Sequence, residues 1–374
     1  MLRGDNMRAV LKEIAVNKRI FTLLFTGFLL SQAPILIAFS TQDYYNELFY
    51  DSKNGKFEDY TFITFSGVKK LDLNELQRLA QSSFKSSSVI TADRFVTTSA
   101  LGTVNIVGIL TGNETWSPPI LKGSTLDGES DGILVGKDLS DNLGNLHMMD
   151  QDFIVTGIAG KEESSSYDQK VYMPFCAFPP VMEQEIKRDR TLQLLVRSNE
   201  DNKNELNAFL QKVKQTGSFY SVEVANETKN YDKERRSRQD VKELLSLPYE
   251  LSVMAISSCL LVSSLWIHLK RRDISTRKAF GASNAGLFLF VFSQAFVCAM
   301  LSSGLSLVIQ WLLAEAGNDM FAYTGLMSQL NPSQWILYLV IPVVLSLIAS
   351  LIPAIYIVKI EPVQPVKEYS YVSY

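Results

Sequence analysis

Four long stretches without Asp, Glu, Lys or Arg dominate the pattern of hydrophobic and polar positions along the chain. They cover 20–39, 251–269, 279–314 and 321–358. An α-helix rises about 1.5 Å per residue, so about 20 residues cross the hydrocarbon layer of a bilayer. Buried helices of soluble proteins seldom run this long without a charge. The pattern therefore predicts four transmembrane helices, at 20–40, 249–269, 283–314 and 334–358.

The first apolar stretch also has the position of a secretory signal, since it is N-terminal and follows basic residues. The apolar part of a signal is shorter and is followed by a small-x-small cleavage site. The sequence after Phe39 does not provide such a site. Gln32 and Pro34 inside the stretch favour a kinked helix that packs against other helices. We therefore expect a retained span.

The basic residues predict the orientation of the spans. Five Lys or Arg precede Phe21, and 268–278 is strongly basic, whereas 315–334 contains neither residue. Basic loops remain in the cytoplasm. We therefore expect a cytoplasmic N-terminal segment (1–19), a cytoplasmic segment after the second span (270–282) and a cytoplasmic tail (359–374). The regions 41–248 and 315–333 are then extracytoplasmic.

The segment 41–248 has the pattern of a mixed domain. Runs rich in β-branched and aromatic residues predict strands at 60–68, 103–110, 132–135, 153–158, 192–196 and 219–224. Helices are predicted at 72–84, where Asp72 and Glu75 form a helix-start signal, and at 202–213. The elements alternate without regular βαβ spacing, which favours an α+β fold.

Both ends of this domain, 41–57 and 231–250, are charged and helix-compatible. We expect them to be stalk helices that extend the first and second spans outward. The alternative is a pair of solvated linkers. The fold class is thus a multi-span α-helical membrane protein with a large extracytoplasmic α+β domain inserted between spans 1 and 2.

Composition narrows the possible functions. The net charge of −3 disfavours nucleic-acid binding. Three cysteines give no disulfide framework, and two histidines do not supply a zinc site. The nearest approach to a nucleotide-binding loop, 132–137, is one residue short, and Asp138 stands where a hydroxyl residue would bind magnesium. Spans without charged residues also disfavour an ion-coupled carrier or a channel. We expect no enzymatic activity, no resident metal and no cofactor in this chain.

Four segments resemble one family. KRRDISTRKAFGA (270–282) resembles the cytoplasmic segment of MacB/FtsX-type ABC-transporter permeases, with Asp273 where the family usually has Glu. IPAIYIVKIEPV (352–363) resembles the closing stretch of these permeases, in which Lys359 replaces a run of arginines. GILVGKDL (132–139) and FIVTGI (153–158) resemble two recurring strand motifs of their outer domain.

The resemblance implies a permease subunit of the mechanotransmission type in the bacterial cytoplasmic (inner) membrane, closest to MacB-like permeases without a fused ATPase. Its implied partners are a separate cytoplasmic ABC ATPase, which binds ATP and magnesium, a second permease copy or paralogue, membrane lipids, and an extracytoplasmic adaptor or envelope enzyme. The implied ATPase-coupling residues are Lys270, Arg271, Arg272, Asp273, Arg277, Lys278 and Gly281.

Three activities fit this resemblance. Export of a peptide, drug or lipid-linked cargo is favoured, because an outer domain of about 200 residues is closer to the MacB type. The alternatives are an FtsX-like signal relay that controls a cell-envelope enzyme or sensor, and Lol-like lipoprotein extraction.

Overall fold

The computed structural model describes residues 14–69, 72–98, 101–111, 116–126, 132–139, 143–162, 164–315, 325–328 and 334–359. The predicted segment 1–19, loop 315–333 and tail 359–374 therefore lie largely outside the described residues, as does the end of the 352–363 motif. The chain divides into two compact units, 1–45 with 239–374, and 46–238.

The first unit is built from long apolar helices. Four of the described helices are long and apolar enough to cross a membrane: α1 (Lys18–Ser52), α6 (Gln239–Leu269), α8 (Asn284–Glu315) and α9 (Trp335–Lys359). A short helix, α7 (Arg271–Ala279), lies between α6 and α8 in the sequence. Many Leu, Ile and Val side chains of the long helices are exposed, as expected of surfaces that face lipid.

Buried polar side chains join the long helices. Ser302 Oγ donates to the carbonyl oxygen of Phe25 at 2.9 Å, which connects α8 to α1. Its neighbour Ser303 donates to the carbonyl oxygen of Tyr338 at 2.8 Å, which connects α8 to α9. Interhelical hydrogen bonds in membranes contribute about 0.6–2 kcal/mol each. The packing of the long helices therefore includes polar contacts that the mean hydropathy of the spans does not reveal.

The second unit is an α+β domain around one mixed sheet, which confirms the predicted fold class. Its described strands are β1 (Asp59–Ser66), β2 (Ser88–Thr91), β3 (Arg94–Thr98), β4 (Gly102–Ile109), β5 (Ile120–Gly123), β6 (Gly132–Gly136), β7 (Gly144–Met148), β8 (Gln151–Ala159), β9 (Lys170–Pro174), β10 (Thr191–Ser198) and β11 (Ser221–Asn226). The order is β11-β1-β10-β2-β4-β9-β6-β8-β5, with β3 on β4 and β7 on β8. The pairs β4–β9 and β6–β8 are parallel.

The described residues of this unit also form the α-helices α2 (Leu73–Ser83), α3 (Pro180–Asp189), α4 (Lys203–Thr216) and α5 (Thr228–Ser237). Asp72 caps α2 as predicted, because its side chain accepts a hydrogen bond from the backbone N–H of Glu75 at 3.0 Å. Apolar residues of α2 and α4 pack with β1 and β10 in the main core.

The two predicted stalks differ. The first lies within α1, which continues without interruption to Ser52. The second is not one continuous helix, contrary to the expectation for 231–250. Arg238 adopts an extended conformation (φ −61°, ψ 100°) between α5 and α6. The sequence signal was absent because Arg238 is neither Gly nor Pro, the usual markers of a helix break.

One glycine of β6 allows a close backbone approach. A Cβ atom at Gly136 would lie 2.2 Å from the carbonyl oxygen of Asp168. The backbone N–H of Asp138 donates to that same oxygen at 3.0 Å. The Asp168 side chain is itself buried and accepts hydrogen bonds from the backbone N–H and hydroxyl of Ser165 at 2.7 and 2.6 Å. The segment 165–168 is therefore held directly against the backbone at the end of β6.

A buried polar network centres on Asn54, just after α1. The Asn54 side-chain oxygen accepts hydrogen bonds from Lys170 Nζ at 2.8 Å and from the Tyr172 hydroxyl at 2.9 Å. Its amide nitrogen donates to Asp93 at 3.1 Å, and its backbone oxygen accepts from Arg197. Asn54 itself has φ 59°, in the left-handed region. The network therefore requires both this side chain and this backbone conformation.

Replacing Asn54 separates these two requirements. Asn54→Gly keeps the conformation and loses the side-chain hydrogen bonds, whereas Asn54→Ala also adds strain. The left-handed penalty of about 1–2 kcal/mol exceeds the entropic cost of glycine, about 0.5–1 kcal/mol. We expect both variants to unfold at a lower urea concentration than the unmodified chain. The free energy of unfolding of the alanine variant should be lower than that of the glycine variant by about 0.5–1 kcal/mol. Urea titration of the full chain with pulse proteolysis measures this, and equal loss in both variants would contradict a role for the conformation.

Glu205 connects the start of α4 to the segment before β2. Its carboxylate accepts hydrogen bonds from the backbone N–H groups of Lys85 and Ser86 at 2.9 and 3.1 Å and from the Ser87 hydroxyl at 2.7 Å. Partial burial by itself raises the pKa of Glu205, but these hydrogen bonds outweigh it and hold the pKa below the ordinary value of 4.5.

This lowered pKa makes the stability dependent on pH. The Glu205 carboxylate stabilises the fold above its unfolded pKa, and this contribution is lost as pH falls through the folded pKa. We expect Glu205→Gln to unfold at lower urea than the unmodified chain near pH 7, with the difference shrinking as pH falls below about 4. Glu223→Gln, on exposed β11, is the control. A difference that stays constant with pH would contradict this role for Glu205.

Candidate functional site

The segment predicted to couple to an ATPase contains α7. Lys270 precedes the helix, with φ −95° and ψ 6°, and its Nζ lies 3.2 Å from Asp273 Oδ2. Asp273 is in the first turn, and Arg277 and Lys278 are in the last turn. Acidic residues near a helix N-terminus and basic residues near its C-terminus stabilise the helix dipole. The order of charges therefore suits a short helix at this position.

One buried row attaches α7 to the long helices. Ile274 is 6% exposed and packs in a cluster with Trp266, Leu287 and Ile357. Ser275 beside it is also buried. Burying an isoleucine side chain contributes about 1.5–3 kcal/mol. Ile274 therefore fixes which side of this nine-residue helix packs against the long helices. The opposite face carries exposed charged side chains.

Two basic residues near the end of α7 contact the long helices. Arg271 and Arg272 are exposed at the start of the helix. The Arg277 guanidinium lies 4.5 Å from the ring centroid of Phe290, in α8. Lys278 Nζ donates a hydrogen bond to the backbone oxygen of Ile357, in α9. Arg277 and Lys278 therefore contact the neighbouring long helices, and Arg277 remains exposed like Arg271 and Arg272.

The contact of Lys278 with Ile357 was not foreseen from the sequence. It brings together the 270–282 and 352–363 segments, which are about 80 residues apart in the chain. The sequence treated the basic residues as one cluster, because helical spacing alone does not show which side chains find intramolecular partners. Arg271, Arg272 and Arg277 are all exposed and are therefore candidates for contacting another protein.

The end of α7 is a Schellman motif. The backbone N–H of Gly281 donates to Lys278 at 2.9 Å, and that of Ala282 donates to Arg277 at 3.0 Å. Gly281 has a φ of 89°, a backbone conformation that residues other than glycine rarely adopt. Phe280, before the glycine, is 88% exposed. The turn from α7 toward α8 therefore depends on Gly281 and leaves an aromatic side chain uncovered.

The described part of the site is a charged helix surface. Within the part of the chain that the structure describes, no three His, Cys, Asp or Glu side chains come together as metal ligands. The charges of α7 lie on a helix surface, beside a small cavity of about 20 Å³. This arrangement is suited to contact another protein or a membrane surface.

Residues 247–362 match the family described as FtsX-like permease C-terminal. The matched region covers about a third of the chain and includes α7 and α8. It confirms the predicted resemblance to MacB/FtsX-type ABC permeases. Permeases of this family are generally non-enzymatic transmembrane components that partner with an ATPase subunit. No curated protein sequence matches the chain.

The Schellman turn can be tested by two matched glycine substitutions. A Cβ at Gly281 meets no atom within 4 Å, so Gly281→Ala adds only backbone strain, at about 1–2 kcal/mol. Gly304, inside α8, also has open space around it, and alanine favours a helix there. We expect Gly281→Ala to lower the thermal midpoint of the purified chain and Gly304→Ala not to lower it. A lower thermal midpoint for Gly304→Ala than for Gly281→Ala would contradict backbone strain at position 281.

Proposed function

We propose, on the basis of the match of residues 247–362 to the FtsX-like permease C-terminal family, that the chain is the permease subunit of a mechanotransmission-type ABC transporter. A separate cytoplasmic ATPase binds ATP and magnesium and hydrolyses the nucleotide. The permease couples hydrolysis to movement of its α+β domain, for export of a peptide, drug or lipid-linked cargo. The active assembly contains a second permease copy or paralogue.

The single observation that carries the proposal is α7 within the matched region. It is a short charged helix between two apolar helices, attached to them by Ile274 and by the contacts of Arg277 and Lys278. A partner that binds such a helix can move the long helices only if the helix is attached to them. Attachment on one face and exposed charge on the other are the features that coupling requires.

The proposed orientation follows from the distribution of basic residues. α7 lies on the cytoplasmic side, together with both termini, and the unit 46–238 lies outside the bacterial cytoplasmic membrane. An ATPase in the cytoplasm then reaches Arg271 and Arg272, and anionic lipids contact the same side. The α+β domain remains available to cargo, an adaptor or an envelope enzyme.

The free energy of exposed ion pairs indicates how many residues the coupling contact needs. One exposed ion pair contributes about 0–1 kcal/mol, so a single arginine does not hold a partner subunit. Arg271 and Arg272 act together against an acidic groove of the ATPase, and Phe280 adds apolar contact area at the other end of α7. The proposal therefore predicts sensitivity to reversal of paired charges.

Charge reversal at the start of α7 tests this contact. We expect the double variant Arg271→Glu, Arg272→Glu to insert into the membrane normally and to lose most of its co-purifying ATPase, because two attractive contacts become repulsive. Lys187→Glu, Arg188→Glu, an exposed adjacent pair on α3, is the matched control and should retain the ATPase. The measurements are the amount of each variant in membranes, the ATPase recovered in mild detergent, and ATP hydrolysis by the complex.

Retention of a fully active ATPase by the α7 variant would count against the coupling role. Affinity purification of the unmodified chain from native membranes, with mass spectrometry, identifies the partners. A stoichiometric ABC ATPase supports the proposal, and its absence even with trapped nucleotide contradicts it. A co-purifying adaptor supports export, whereas a cell-wall enzyme would replace export by signal relay, and a lipoprotein would replace it by lipoprotein extraction.

A further inference from the structure

The α+β unit contains a cleft of about 610 Å³ where α4 begins. It lies at the start of β1 and the end of β11, on the face of the sheet that α4 covers. Thr61 lines the cleft, and Ile63, on the same face of β1, packs in the core with Phe209 of α4. Ligand pockets commonly have volumes of about 300–1,000 Å³. The cleft is therefore large enough for a small organic ligand or a few peptide residues.

The lining of the cleft is acidic. Four carboxylates, those of Glu58, Asp59, Glu200 and Asp201, line it together with one ammonium group, that of Lys203. Lys203 Nζ lies 3.6 Å from Asp201, so it offsets one of the four. Glu58 and Glu200 are exposed. The charge of the lining favours a cation and disfavours phosphate-containing ligands.

Asn202 supplies a second, independent observation. This lining residue is 5% exposed, and its amide nitrogen has no hydrogen-bond partner. It precedes α4, yet its side chain makes no capping hydrogen bond with that helix. A buried amide without a partner is rare and calls for an explanation. The terminal torsion of asparagine is broad, so a ligand with a carbonyl oxygen can satisfy this amide after a rotation.

A metal ion does not explain these features. All the lining residues lie in the described part of the chain, and their carboxylates do not converge in a group of three that could hold a metal. A volume of about 610 Å³ also far exceeds the space of one ion. The ligand must instead spread its positive charge and its hydrogen-bond acceptors over the length of the cleft.

The apolar part of the lining narrows the ligand further. Val224 is 42% exposed, and Leu206 of α4 is partly buried. Lysine and arginine have an apolar stem that packs on such residues and a charged head that remains in a polar environment. A backbone carbonyl of the same ligand is an acceptor for Asn202. A basic peptide contains all three groups: an apolar side-chain stem, a cationic head and a backbone carbonyl.

We propose that this cleft binds an extended basic peptide segment. A lysine or arginine stem lies across Val224, with its cationic head toward Glu58 and Glu200, and a peptide carbonyl accepts a hydrogen bond from Asn202. The proposal concerns the α+β unit alone and does not depend on coupling to an ATPase. Its success or failure is therefore distinct from that of the proposed permease function.

Fluorescence anisotropy with the full-length purified chain tests the binding. The probe is a fluorescein-labelled acetyl-Lys-Ala-Lys-Ala amide, compared with the same peptide containing glutamate or norleucine in place of lysine. We expect the lysine peptide to bind at least about tenfold more tightly than either comparison peptide. Its affinity should decrease as salt is raised, because the charges of the cleft are partly exposed.

Matched variants locate the binding site. Glu58→Gln, Glu200→Gln and Asp201→Asn together should weaken binding of the lysine peptide by about tenfold or more. Glu162→Gln, Glu185→Gln and Asp150→Asn make the same change of charge away from the cleft and should alter affinity by less than about twofold. Asn202→Ala should weaken binding by about fivefold, the loss expected for one hydrogen bond, without lowering the thermal midpoint.

Three results would overturn the proposal. They are equal affinity for the lysine and norleucine peptides, equal losses in the two triple variants, and displacement of the peptide by calcium beyond the effect of ionic strength. If the cleft variant fails to fold, Val224→Lys replaces it, since an added ammonium group at this exposed position occupies the cleft. A folded Val224→Lys chain that still binds the lysine peptide with unchanged affinity also rejects the site.

Discussion

The hydrocarbon layer of the bilayer provides no hydrogen-bond partners, and this constraint determines most of the membrane unit. Backbone groups must be satisfied within helices, so each crossing is one long helix. Some buried polar side chains find partners inside the bundle, as the amide nitrogen of Gln32 does when it donates to the carbonyl oxygen of Ala299 at 3.1 Å. Formal charge is excluded from the spans and accumulates between them. The charged surface of α7 is therefore a direct result of the constraint that makes its neighbours apolar.

The α+β unit uses buried charge where the membrane unit avoids it. Arg197 is fully buried, donates to Ser88 Oγ at 2.6 Å and lies 4.1 Å from the ring centroid of Trp116. Loss of solvation lowers its pKa to about 10, with nearby tyrosines opposing the shift, so the guanidinium remains charged at neutral pH. Burial likewise lowers the pKa of Lys170, against the attraction of Asp93 at 3.0 Å. The cost of burying these cations is offset by directed contacts around Asn54, which makes that region specific in geometry as well as stable.

The features that could be predicted from the sequence are those with a local signal. Runs without charge gave the four spans, and Asp72 with Glu75 gave the start of α2. Strands β2, β3, β5, β7 and β9 were missed. Each has only four or five residues, and alternation over so few residues is a weak signal. Lys170 in β9 has a surface-type side chain in the core, which only tertiary contacts explain. At α7, the sequence located the charged segment but did not show that Arg277 and Lys278 contact the neighbouring helices. Their contacts are with Phe290 of α8 and with Ile357 of α9, which is 79 residues from Lys278.

The backbone contact at Gly136 has a consequence for how this sequence can vary. The position is closed to any side chain by the backbone oxygen of Asp168, which a rotamer change does not move away. Selection during divergence therefore acts on Gly136 independently of activity, cargo or partner. We therefore expect relatives with the same β6 packing to keep a glycine here, whatever they bind. A mutational library aimed at new binding properties should leave this codon fixed and diversify the exposed lining of the α4 cleft instead.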